Sequence, residues 1–196
     1  MQLNSRYYSV LVVSSSEKMN ENLKSILQNS LFNPISFSLN ISSAKRAVLE
    51  KTYDIVIINT PLHDDFGTRF AIDVCSNKST VCLLLAKNEI YDEIHSKLLN
   101  HGVFTLPKPT NTAMIQQALR WLTAARERLR SFEKKAVTLE EKMEEIRLVN
   151  HAKWMLIENC GMTEADAHKF IEKQAMDKCV SKKQIAKSII EEYDNK

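Results

Sequence analysis

Three continuous apolar runs of strand length punctuate the first half of the chain: Val10-Leu11-Val12-Val13, Ile55-Val56-Ile57-Ile58 and Val81-Cys82-Leu83-Leu84-Leu85. A strand that is apolar on both faces has to be covered on both, as parallel strands are when helices lie above and below them. Between the runs, Glu17 to Ser30, Ser43 to Lys51 and Glu89 to Asn100 carry apolar residues at three- and four-residue spacing, and Gly67 to Cys75 is a shorter segment of the same kind. The alternation predicts the order βαβαβαβαβ. The fold class is therefore an α/β doubly wound open sheet, with its ligand site at the carboxyl ends of the strands.

After Thr112 the period changes. No glycine or proline occurs before Gly161, so a helix beginning near Asn111 has nothing to break it for about fifty residues. Ile115, Leu122, Leu129, Ala136 and Met143 recur every seven residues, and Ala118, Ala125, Phe132, Leu139 and Ile146 recur every seven three places later. Such a and d positions predict a parallel coiled coil and a homodimer, with Ile115, Leu122, Leu129, Phe132, Leu139, Met143 and Ile146 in the seam.

Gly161 is a natural helix stop, and Thr163-Glu164-Ala165-Asp166 is suited to cap the next helix. Ser181-Lys182-Lys183-Gln184 reads as a capping box. Three short helices are expected near 146–160, 164–179 and 182–193. Their core stripes are Val149, Ala152, Leu156 and Cys160; Ala167, Phe170, Ile171 and Ala175; and Ile185, Ala186, Ile189, Ile190 and Tyr193. The expected domains are 1–111, a linker helix over 112–145, and a bundle over 146–196.

Composition narrows the chemistry. A chain of 196 residues, 44% hydrophobic, is long enough for a proper core. Its four cysteines contain no CxxC pair and its five histidines lack ligand spacing, so no metal and no cofactor is expected. There is no secretory signature and no apolar stretch of bilayer length, so a cytoplasmic location without membrane attachment is expected. Paired carboxylates, a nucleophile with its base and a glycine-rich phosphate loop are all missing, which argues against an enzyme. The formal charge of +3 does not by itself establish a nucleic-acid partner.

VLVVSSS, YDIVIINTPLHDDFG and TLPKP resemble the three signature segments of two-component response-regulator receivers. The resemblance implies a flavodoxin-like sheet of order 2-1-3-4-5, an acidic pair after the first strand, a phosphoacceptor aspartate ending the third, a hydroxyl ending the fourth, and a lysine before proline after the fifth. Carried over, the acidic pair falls on Ser14 and Ser15, the phosphoacceptor on Asn59 and the hydroxyl on Leu85 or Ala86. Lys108, followed by Pro109, alone remains. Serine hydroxyls are poor Mg²⁺ ligands and an amide does not form an acyl phosphate. Asp54 opens the third strand, roughly 16 Å from Asn59 at about 3.3 Å per residue, and cannot replace it. Asp64 and Asp65 follow that strand, either as solvated loop charges or as acids near Lys108. The reading is a degenerate receiver that is not phosphorylated.

The C-terminal segment resembles the ANTAR family of antitermination regulators through Ala152-Lys153 with Leu156, the Gly161-Met162-Thr163-Glu164-x-x-Ala167 junction, Ala175-Met176, and Ile185-Ala186 with Ile189-Ile190. Trp154 departs from the glycine usual after the Ala-Lys pair. The resemblance implies an RNA-binding bundle acting on paired hairpins in mRNA leaders, so that a terminator does not form. Basic residues outnumber acids by three between 147 and 190. The candidate RNA contacts are Arg147, Lys153, Trp154, Lys169, Lys173, Lys182, Lys183 and Lys187, with His168 as a further candidate. Lys169/Lys173 and Lys183/Lys187, each four residues apart, project from one face of their helices. Control is expected from a regulatory protein partner or a small ligand. The alternative is a protein-interaction adaptor that binds no RNA.

Overall fold

The computed structural model describes residues 7–28, 31–76 and 79–194. It divides into two compact units, Met1–Glu133 and Lys134–Lys196. The first is built on five parallel strands: β1 (Tyr8–Val13), β2 (Phe32–Ser38), β3 (Ile55–Asn59), β4 (Val81–Lys87) and β5 (Phe104–Lys108). Their order is β2-β1-β3-β4-β5, as the resemblance implies.

Successive residues of a strand point to opposite faces, and the two faces are two separate cores. Val10, Val12, Ile55, Ile57, Leu83 and Leu85 meet Leu23 and Leu27 of α1 (Glu17–Gln28), together with the start of α5 (Thr112–Cys160). Leu11, Val13, Val56, Ile58, Cys82 and Leu84 meet α2 (Ile41–Glu50), α3 (Thr68–Ser76) and α4 (Tyr91–Leu99). Because β3 and β4 are buried along nearly their whole length, they stand out in the sequence. Gly67, at φ +78°, lets the chain turn into α3 against β3, where a Cβ would meet Ile58 Cγ2 at 2.9 Å.

The long helix is one element, but its seam is not used as the heptads predict. Ile115 and Leu122 are fully buried against the sheet, beside Ala118 and Leu119, and Leu129 packs partly on the same face. A helix lying on a sheet and a helix in a coiled coil show nearly the same spacing, so the first heptads serve the first unit's own core. That unit accordingly runs to Glu133 rather than ending near residue 111. Phe132, Leu139, Met143 and Ile146 are all more than half exposed.

In the second unit, α5 ends at Cys160, Gly161 takes φ +63°, and α6 (Glu164–Asp177) and α7 (Lys182–Asp194) follow. Thr163 caps α6 by accepting from the Asp166 amide at 3.2 Å. Ser181 and Gln184 form a reciprocal box: the Ser181 amide donates to Gln184 Oε1 at 3.0 Å, and the Gln184 amide donates to Ser181 Oγ at 3.2 Å. Ala152, Leu156, Ala167, Ile171, Ala175, Ile185, Ala186 and Ile189 make the core. Phe170 and Cys160, expected there, are exposed: Phe170 lies one residue off the Ala167–Ile171–Ala175 stripe, and Cys160 closes the last turn of α5.

Candidate functional site

The carboxyl ends of β1, β3 and β5 bring Ser14, Asn59 and Lys108 together. Lys108 Nζ donates to Asn59 Oδ1 at 2.7 Å and also to the Thr60 carbonyl. Asn59 Nδ2 donates to Ser14 Oγ at 3.0 Å, and Ser14 Oγ also accepts from the Ser16 amide at 3.2 Å. Ser14 and Asn59 are buried, and Ser15 is half-buried beside them. Leu85 and Ala86, at the hydroxyl position, are fully buried. The three side chains form one neutral-to-cationic chain. Burial, and then the charge of Lys87, lower the pKa of Lys108.

The donor set does not fit the Mg²⁺ ion that receivers use. The ion wants anionic oxygens, whereas here both amide atoms of Asn59 and the Ser14 hydroxyl are already engaged, and the partner of the Asn59 oxygen is itself a cation, Lys108. Among the described residues no group of three or more His, Cys, Asp and Glu side chains is placed to hold a metal.

The neighbouring aspartates have other tasks. Asp64 accepts from the amides of Ile41 and Ser42, at 3.1 and 3.0 Å, at the start of α2. The Ile41 amide, outweighing desolvation, holds its carboxyl below the ordinary range. Asp65 accepts from the Gly67 amide at 2.8 Å. Neither is bonded to Lys108. Asp54, at the opposite end of the sheet, is the residue whose role the sequence hides. Its Oδ1 accepts from Arg126 Nε at 2.9 Å and Arg130 Nη2 at 2.6 Å, and its Oδ2 accepts from the Ser9 amide at 3.0 Å. Burial opposes its charge, yet the Ser9 amide and the two guanidiniums prevail and lower its pKa. Arg130 also lies over the Tyr8 ring, 5.2 Å from its centre. The polar interruptions Arg126 and Arg130 in an apolar helix face were the signal for this anchor.

In the second unit the candidate cations separate by position. Ala167, Ile171 and Ala175 point inward on α6, so Lys169 and Lys173, two residues on, point outward and are exposed. Lys187 is exposed and Lys183 half-exposed on α7 by the same geometry. Lys182 lies toward the core side and bonds Glu172 at 2.5 Å, where His168 also approaches at 3.3 Å. Lys153 is largely covered and pairs with Glu164 at 3.0 Å, and Arg147 pairs with Glu144 at 3.1 Å. Trp154, two residues from both Ala152 and Leu156, faces away from the core and is 67% exposed.

Residues 138–190 match the family model of the ANTAR domain. The chain is 26% identical over 138 residues to the transcriptional regulatory protein PdtaR of Mycobacterium tuberculosis, covering 70% of this chain and 67% of that one. The structure is similar to a signal receiver domain of an HD domain-containing protein from Pseudomonas fluorescens, at 22% identity and TM-score 0.57 over 68% of this chain and 96% of that one. It is also similar to Vibrio cholerae chemotaxis protein CheY4, at 20% identity and TM-score 0.52 over 59% and 98%. The first unit is thus a receiver fold and the second carries an ANTAR domain. In this succession the chain is similar to ANTAR-domain response regulators. No helix among the described residues is long and apolar enough to cross a membrane.

Proposed function

We propose that this protein is an RNA-binding transcription antiterminator acting on hairpins of mRNA leaders. The observation that carries the reading is the outward placement of Lys169/Lys173 and Lys183/Lys187 on an ANTAR bundle, with Trp154 also exposed. Outward-facing cations suit phosphates, and an exposed indole suits an unstacked loop base. Lys153, Lys182 and Arg147 already have acidic partners, and they would contribute by exchanging carboxylate for phosphate.

The receiver works without phosphate. The Ser14–Asn59–Lys108 chain supplies neither the nucleophile nor the ion site, so control falls to a regulatory protein partner or to a small ligand. Homodimerisation through the a and d residues Phe132, Leu139, Met143 and Ile146 would cover apolar surface that the single chain leaves in water. Cytoplasmic action follows from the RNA target. Cross-linking in cells tests the reading: capture of leader segments with paired hairpins upstream of terminators supports it, and capture of proteins without RNA would favour an adaptor instead.

A further inference from the structure

At the amino-terminal ends of β3 and β4, opposite the Ser14–Asn59–Lys108 chain, a cleft of about 300 Å³ opens between α2 and α3. Its walls are apolar: Val48 of α2, Val56 of β3, and Phe70 and Val74 of α3, the last three buried. The Thr80 hydroxyl in this wall is satisfied, donating to the Tyr53 carbonyl at 2.7 Å. Two exposed cations, Lys45 and Lys51, line the mouth, against the single acid Asp73. A second hollow of about 290 Å³ shares Thr52, Tyr53 and Ser79 with the first and reaches Asp54 and Arg126.

We propose that this cleft binds a small amphipathic acid, an aromatic or branched aliphatic carboxylate whose body fills the space between α2 and α3 and whose anion meets Lys45 and Lys51. An apolar hollow of this size with a few polar groups at one end has the character of a small-molecule site. Two cations facing one acid select an anion over a cation. Because those lysines are at the mouth, the carboxylate keeps part of its hydration while the apolar body leaves water. Tyr53, which lines both hollows, stands one residue before Asp54, the acid that holds Arg126. The site goes beyond the RNA-binding reading and does not depend on it.

Fluorescence titration of the full chain with anilinonaphthalene sulfonate, and with the uncharged N-phenyl-naphthylamine, tests the site. Both probes are expected to bind saturably at one site per chain. Replacing both lysines (K45Q with K51Q) should weaken the sulfonate about fivefold, on the scale of one or two exposed ion pairs, and leave the neutral probe unchanged. Val48→Phe, which fills the hollow, should remove both signals. Absence of saturable binding, or binding indifferent to the lysine pair, would overturn the proposal. Should Val48→Phe fail to fold, the exposed lysine pair decides alone. Either result leaves RNA binding, measured on the same preparation, as a separate outcome.

Discussion

Lys108 Nζ and Asn59 Oδ1 lie 2.7 Å apart, so the lysine is bonded to an amide where a working receiver has a carboxylate. Asn59 passes this connection on to Ser14, and the arrangement satisfies itself without an ion or a phosphoryl group.

The protein should therefore take no label from radiolabelled acetyl phosphate at any Mg²⁺ concentration. Asn59→Asp alone should also stay unlabelled, because Ser14 and Ser15 still cannot hold the ion. Asn59→Ala should cost about 1–3 kcal/mol in urea unfolding, since it removes one bond each from Ser14 and Lys108 at a buried position. Labelling of the natural protein would refute the phosphate-independent reading.

Asp54→Asn should loosen the start of α5 from the sheet. Arg126 and Arg130 then lose the Asp54 charge and keep only Glu133 and Glu127, at a cost of about 1–3 kcal/mol. The pH dependence has a definite sign. The folded-state pKa of Asp54 lies below its ordinary 3.8, so its contribution is full above that value and is lost as pH falls through the depressed one. Unfolding curves of the natural protein and Asp54→Asn should separate at neutral pH and converge in acid below 3.8.

How much of this could be read from the chain depends on what each pattern distinguishes. β3 and β4 are apolar on both faces and declare themselves, whereas β2 (FNPISFS) at the sheet edge mixes exposed and buried positions and carries no comparable run. The caps Thr163 and Ser181 were legible because side-chain chemistry and spacing specify them locally. Ile115 and Leu122 were not, because a seven-residue repeat does not say whether the covering surface is a sheet or a second helix. Of the candidate site, the Asn59 and Lys108 neighbourhood follows from topology, but Asp54 and Asp64 find partners 72 and 23 positions away, beyond any local pattern.

The two halves of the heptad series should respond differently to mutation. Leu122→Ala, in the core, should cost about 2–5 kcal/mol whatever the protein concentration. Leu139→Lys with Ile146→Lys, at exposed positions, should leave unfolding of the first unit unchanged and convert a dimer to a monomer in sedimentation. A natural protein that sediments as a monomer at every concentration would remove the coil.

Charge reversal of Lys183 and Lys187 should weaken RNA binding and lower the salt slope by roughly one for each phosphate that is no longer neutralised. The bundle itself should melt unchanged, because both side chains point away from its core.

The most direct measurement is binding of the purified full chain to a synthetic leader with two tandem hairpins, against a loop-scrambled RNA and matched duplex DNA over a salt series. The account predicts tight binding that depends on the loop sequence and weakens with salt. Equal affinity for all three, or no binding to RNA, would contradict it.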